Sequence, residues 1–228
     1  VRAYAAIVGH FMRLYDFKRA QKVTQFVANS REVQRRIQKF YRRDSVVINP
    51  PVDLSKIGKG NKGDRGDRGY FLTGGRLEAA KNFDLIIKAC NELDVPLKIF
   101  GQGGEEERLR EMSGNNVEFV GSVSEEEKYQ LMANCKAFVV AAKDEDFGIT
   151  PVEAMACGRP VVAFRGGGYL ETIVENKTGV FFDDLTVESL SQAIIKLGKL
   201  KIKPDECLTQ AEKFSKERFI REIRKLVA

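Results

Sequence analysis

From Tyr70 onward, short apolar runs alternate with stretches of helical period. The runs predict strands at Tyr70–Thr73, Leu97–Phe100, Val117–Val120, Ala137–Ala141, Val161–Phe164 and Val180–Phe182. Helices are expected between and after them, over 78–92, 104–112, 124–134, 151–157, 168–175 and 187–198. Strands that alternate with helices predict an α/β fold, a doubly wound parallel sheet with helices on both faces. Right-handed crossovers then bring every strand-to-helix loop to one edge of the sheet. Those loops are Gly74-Gly75-Arg76, Gly101-Gln102-Gly103-Gly104, Gly121-Ser122, the segment around Glu145, and Gly166–Gly168. Glycine-bearing loops on one edge let a ligand approach backbone amides.

Upstream the pattern is less regular. Residues 3–18 read as a helix, Val23–Ala28 as a strand, and Asn29-Ser30 as the cap of a helix over Arg31–Arg43. Ser45–Ile48 is a short strand, and Asn49-Pro50-Pro51 reads as a stiff extended linker. Residues 57–69, IGKGNKGDRGDRG, form a polar loop. Its Gly58-x-Gly60-x-x-Gly63 lacks the preceding strand and following helix that a dinucleotide fingerprint needs. The Arg65-Gly66-Asp67 beside it is an ordinary product of a charged, glycine-rich loop. The tail, 211–228, reads as one amphipathic helix carrying Phe214, Phe219, Ile220, Ile223 and Leu226.

The densest candidate chemistry lies between Glu145 and Gly168, EDFGITPVEAMACGRPVVAFRGGG. Thr150 suits an N-cap, Pro151 the first helical position, and Gly158-Arg159-Pro160 a stop. Thr150-x-x-Glu153 is then a capping box, which accounts for Glu153 structurally. The setting points further, because a helix that starts at the carboxyl edge of a parallel sheet attracts phosphate. A carboxylate there can also accept from a ribose diol. A second constellation is Arg76 and Lys81 after the first strand of the alternating series. Two cations and a helix N-terminus can hold a diphosphate without a metal, whereas Lys81 alone would read as a solvated helix lysine.

Composition narrows the class. With 43% hydrophobic and 31% charged residues, the chain is of globular type, and no apolar run approaches the ~20 residues that span a bilayer. Cys90, Cys135, Cys157 and Cys207 are scattered, with no CxxC pair and a single histidine, so a zinc site is not expected. The default compartment is reducing and cytoplasmic. Charge is uneven: residues 1–45 hold 11 Lys/Arg against Asp16, Glu32 and Asp44, while the rest hold 27 against 29 acids. A basic end on a neutral body predicts an anionic partner, with a solvated helix face as the alternative.

Taken together, GRLEAAK (Gly75–Lys81), IFGQGGEEERL (Ile99–Leu109), VEFVGSVSEEE (Val117–Glu127), EDFGITPVEAMACGRPVVAFRGGGYLETI (Glu145–Ile173) and TGVFF (Thr178–Phe182) resemble the retaining family-4 glycosyltransferases of the GT-B fold. VANS (Val27–Ser30) and VINPPVD (Val47–Asp53) are similar to its mannosyltransferase-like O-antigen branch. The resemblance implies a Rossmann-like donor-binding domain over 48–210, one half of a GT-B fold. It implies that 1–47 is the last portion of an acceptor domain, and that 211–228 packs back on that portion. It assigns Arg76 and Lys81 to the donor's diphosphate, Glu145 to the transferred sugar and Glu153 to the ribose. Amides of Phe147, Gly148, Ile149 and Thr150 would line the phosphate and sugar, the base would lie against Gly121 and Ser122, and Gly75 and Gly103 would complete the donor site.

The implied activity is metal-independent retaining transfer of a hexose, mannose from GDP-mannose foremost, to a glycan or lipid-linked acceptor. No cofactor or metal is implied, Asp144-Glu145-Asp146 being a poor DxD motif in a Gly-Pro turn. Nucleic acid is not an expected partner, and a peripheral membrane contact through the basic N-terminal part is. His10, the only histidine, is not expected to be catalytic. Two other readings stay open: a nucleotide-sugar binding module without turnover and, behind it, a dinucleotide oxidoreductase.

Overall fold

The computed structural model describes residues 2–55, 57 and 69–227, and the two motif-like stretches of the 57–69 loop lie outside them. The chain divides into two compact units, residues 1–49 and 50–228. In the first unit, helix α1 (Arg2–Ala20) is followed by strand β1 (Phe26–Ala28), helix α2 (Arg31–Tyr41) and strand β2 (Ser45–Val47), with β1 and β2 paired in parallel. Ser30 caps α2 as its sequence predicts, its hydroxyl accepting from Val33 N–H at 3.0 Å. The helix stops two residues early because Arg42 turns left-handed at φ 55°. Tyr41 stacks on Phe26 at 5.8 Å and donates its hydroxyl proton to Asp16 of α1 at 2.7 Å.

The second unit is built on β3 (Phe71–Gly74), α3 (Phe83–Glu92), β4 (Leu97–Phe100), α4 (Glu106–Glu111), β5 (Val117–Gly121), α5 (Glu125–Asn134), β6 (Phe138–Val140), α6 (Ile149–Ala156), β7 (Val161–Phe164), α7 (Tyr169–Thr172), β8 (Gly179–Phe182), α8 (Val187–Lys199), α9 (Pro204–Glu212) and α10 (Lys216–Val227). Its six strands are all parallel, in the order β5-β4-β3-β6-β7-β8. Successive side chains of a strand point to opposite faces, so the same strands feed two cores. Leu72, Phe138, Val161, Ala163 and Phe181 pack with α5, α6 and α9 on one face. Phe71, Leu97, Ile99, Val139, Val162, Val180 and Phe182 pack with α3, α4 and α8 on the other. Both faces are dry, which is why the strands read as continuous apolar runs. The expected α/β fold, a Rossmann-like parallel sheet with helices on both faces, is the observed one.

Several bounds shift, the strand expected over 23–28 shortening to β1 and the helix over 168–175 to α7, and three elements differ in how they are built. The helix foreseen over 78–92 is broken: a 3-10 turn, Ala79–Lys81, precedes α3, and Asn82 between them is left-handed at φ 53°. Its side-chain amide donates to Ala141 O at 2.8 Å, a tertiary bond that local propensity cannot anticipate. The tail helix expected over 211–228 is interrupted: its first residues end α9, and the chain bends between Glu212 and Lys216 to bury Phe214 edge-on against Phe147 at 5.3 Å before α10 begins. Finally, Thr150 does not cap α6. Gly148, at φ 84° and with no side-chain cap bond, starts that helix before Thr150, and the capping box with Glu153 does not form.

Candidate active site

Strands β3 and β6 are neighbours in the sheet, yet successive connections leave them for opposite sides, to β4 and to β7. In open α/β sheets such a reversal leaves a crevice at the carboxyl ends of the two strands, where ligands bind. A cleft of about 160 Å³ occupies that position, floored by Thr73 and Gly74 of β3 and by Val140 with the two alanines that follow β6. Gly75, Arg76 and Lys81 form one wall, and Glu145, Tyr169 and the α6 start, Gly148–Pro151, form the other.

Each wall is set by backbone geometry. The Asn82 bond to Ala141 O pins the 3-10 turn across the crevice, so Lys81 reaches Glu145 on the far side. The Lys81 Nζ to Glu145 Oε2 distance is 2.5 Å, with the carboxylate 19% exposed and the lysine 42%. Glu145 is held from behind by the glycine turn. Gly168 N–H donates to Glu145 O at 2.8 Å, and Gly167 sits at φ 53° where a Cβ would strike that same carbonyl oxygen. The Tyr169 hydroxyl stands 3.4 Å from Glu145 Oε2. Burial, and secondarily the Glu145 charge, hold its pKa well above the usual phenol value, so it keeps its proton and donates.

The α6 N-terminus has no side-chain cap, and its first amides therefore remain available to an anion at the cleft. Arg76 is largely exposed, its guanidinium 3.3 Å from Glu78. One wall thus carries two cations and the other a carboxylate, a phenol and an open helix start. That set can hold a diphosphate and accept from hydroxyls of an attached sugar.

The structure brings Gly75, Arg76, Lys81, Glu145, Gly148, Ile149 and Thr150 together in this cleft. Five other candidates lie outside its lining. Phe147 buries its ring in the core, packed against Phe214. Gly103 packs on the backbone of Leu77, Gly121 accepts from Gly101 N–H at 2.7 Å, and Ser122 is exposed at the end of the same loop. Glu153 lies one helical turn beyond Ile149, where Lys128 Nζ meets its Oε1 at 2.8 Å and the Tyr129 hydroxyl approaches the same oxygen at 3.4 Å. His10 is on α1 in the first unit, exposed and edge-on to Phe11 at 5.7 Å. Sequence reasoning missed Asn82, Tyr169 and Lys128. Asn82 hides inside a helical pattern, Lys128 inside a charged helix, and Tyr169 simply follows a glycine run.

A doubly wound sheet with a polar cleft at its switch point defines the class of open α/β domains that take ligands at the carboxyl edge. The family model of Glycosyl transferases group 1 matches residues 58–214, and the chain belongs to that family. An alpha-1,3/1,6-mannosyltransferase of Dictyostelium discoideum is 41% identical over 83 residues, which cover 36% of this chain and 20% of the relative. A GDP-mannose-dependent alpha-(1-6)-phosphatidylinositol monomannoside mannosyltransferase of Mycolicibacterium smegmatis is 34% identical over 136 residues, 52% of this chain and 36% of the relative. The crystal structure of Anabaena HepE in complex with UDP and glucose superposes with a TM-score of 0.79 at 21% identity, over 90% of this chain and 63% of that one. The chain therefore matches about a third or less of those two curated relatives, and its fold is one half of the GT-B arrangement.

Proposed function

We propose that this chain is the donor-binding half of a metal-independent retaining hexosyltransferase, which moves mannose from GDP-mannose to a glycan or lipid-linked acceptor. The observation that carries the reading is the Lys81–Glu145 pair spanning the switch-point cleft, with Arg76 and the uncapped α6 start in the same lining. In the proposed reaction the bond between the sugar's anomeric carbon and the leaving phosphate oxygen breaks, and a bond to the acceptor oxygen forms on the same face. The acceptor's proton passes to the leaving phosphate, so no side-chain base is required. Negative charge grows on the diphosphate, and Lys81, Arg76 and the α6 amides stabilise it most in the transition state. Glu145 orients the sugar and Glu153 the ribose. The preference for mannose leans on the two mannosyltransferase relatives, one of them GDP-mannose-dependent by name.

Calorimetry in the presence of a chelator tests the donor. GDP and GDP-mannose should bind, UDP more weakly, and NAD not at all. Strict magnesium dependence, or no binding of any nucleoside diphosphate, would count against the reading.

The first unit suits a peripheral contact with an anionic membrane. Tyr4, Ile7, Phe11, Met12 and Tyr15 of α1 are exposed beside Arg13, Lys18 and Arg19, and no helix among the described residues is long and apolar enough to cross a membrane. The chain should co-sediment with phosphatidylglycerol vesicles at low salt and be released at high salt. Equal partition to phosphatidylcholine vesicles would argue against an electrostatic contact.

A further inference from the structure

Glu153 is held in a way that neither helix capping nor stability explains. It stands four residues after Ile149 on α6, hence on the same face of the helix as that cleft residue. Its capping role is vacant, as described above. Instead Lys128, reaching across from α5, takes Oε1 at 2.8 Å, with side chains only 18% and 13% exposed. The lysine is itself fixed, its ammonium lying 4.7 Å from the centre of the Tyr129 ring, and Tyr129 is buried. The Tyr129 hydroxyl approaches the same Oε1 at 3.4 Å. Among the described residues no hydrogen bond reaches Oε2. A desolvated ion pair contributes little net stability, since removing both charges from water offsets their attraction. What the arrangement does achieve is a carboxylate with one oxygen clamped and the other open.

α5 is the helix that follows β5 and the Gly121-Ser122 loop. Lys128 thus comes from the helix that follows the loop to which the resemblance assigns the base, and it meets Glu153 one turn beyond the cleft residue Ile149. We propose that Lys128 is a positioning residue for nucleoside recognition: by clamping Oε1 of Glu153 it presents Oε2 to a ribose hydroxyl of the donor. The proposal rests on the nucleotide-sugar reading above. Lys128 acts through Glu153 and sets how strongly the site demands an intact ribose. Without the clamp the carboxylate swings among rotamers, and a hydroxyl must order it at the moment of binding.

The test compares GDP and UDP with their 2′,3′-dideoxy forms, by calorimetry on the whole chain and on Lys128→Met, Lys128→Gln and Lys128→Arg. The wild type should prefer the ribose form by about tenfold, the worth of one hydrogen bond to a charged group. Lys128→Met should reduce that ratio toward one, Lys128→Arg should restore most of it, and Lys128→Gln should fall between. The ratio of GDP to guanosine affinity should stay unchanged in all three, because the phosphate wall is intact. If Lys128→Met fails to fold, Lys128→Gln against Lys128→Arg gives the same contrast. A merely structural bridge would lower the melting temperature and weaken ribose and dideoxyribose nucleotides alike, and that result overturns the proposal. A ribose preference that survives in Lys128→Met overturns it as well, while leaving the nucleotide reading standing. A wild type that binds both forms equally removes the ribose role of Glu153 and the proposal with it. Absence of any nucleoside diphosphate binding removes the underlying reading too.

Discussion

Lys81→Ala is expected to weaken GDP binding by roughly thirtyfold or more while leaving guanosine binding within about twofold, the larger loss following from a charged hydrogen bond worth roughly 1.5–3 kcal/mol. Two effects add in the same direction. The substitution removes a cation from the diphosphate wall, and it strips Glu145 of the partner that stands 2.5 Å away. A carboxylate facing the incoming diphosphate then repels it. Combining Lys81→Ala with Glu145→Gln should recover part of the GDP affinity, since the repulsion is gone even though the cation is not restored. Arg76→Ala should act in the same sense but less strongly, because that side chain is 78% exposed and its field is screened. Equal losses for GDP and guanosine in Lys81→Ala would show that the lysine does not hold phosphate.

Gly101→Ala is expected to be the most destabilising conservative change at the carboxyl edge. Gly101 adopts φ 107°, a region that side chains avoid, and a Cβ there would run into the carbonyl oxygen of Gly75. The two glycines sit in a short backbone lattice. Gly75 N–H donates to Phe100 O at 3.0 Å, and Gly101 N–H donates to Gly121 O at 2.7 Å. Three strand-to-helix loops are therefore tied to one another, and Gly75 is the residue that leads into Arg76. Backbone strain and the forced shift together should cost about 3 kcal/mol or more. For a chain of this size that corresponds to a melting temperature lower by roughly 6–12 °C. Gly104→Ala is the control: a Cβ there meets nothing within 4 Å, and its effect should stay within about 0.5 kcal/mol. A Gly101→Ala variant that melts within a degree or two of wild type would contradict the lattice as described.

These two expectations draw on different layers of information. The sheet was legible because both its faces are buried. Leu97–Phe100 and Val161–Phe164 stand in the structure with the bounds their apolar runs predict. The cations and Glu145 were legible as chemistry, since glycine-bearing loops at one sheet edge have few structural reasons to carry them. What depended on tertiary contact was not. Asn82 breaks a convincing helix to bond Ala141 O. Gly148, left-handed at φ 84°, starts α6 early enough that Thr150 falls inside the helix and Glu153 is released to Lys128. Phe147, named for its backbone amide, also packs its ring on Phe214, a contact that no local pattern announces. Local sequence rules describe one turn of chain, whereas these residues answer to partners 25 to 67 positions away.

The two carboxylates of the candidate site are charge-balanced in the free chain. Lys81 is paired with Glu145 and Lys128 with Glu153, so on the proposed function neither carboxylate would meet the diphosphate without a compensating cation. On the same proposal, a donor that brings both phosphate and sugar would satisfy Lys81 and Glu145 at once.

The most direct measurement is a crystal structure of the chain grown with GDP-mannose in the presence of a chelator. The account predicts the diphosphate in the cleft between β3 and β6, within hydrogen-bond distance of Lys81 and of the α6 amides, with the sugar against Glu145 and the ribose toward Glu153. Nucleotide bound elsewhere on the sheet edge, or a diphosphate in the cleft out of hydrogen-bond reach of Lys81, would contradict it.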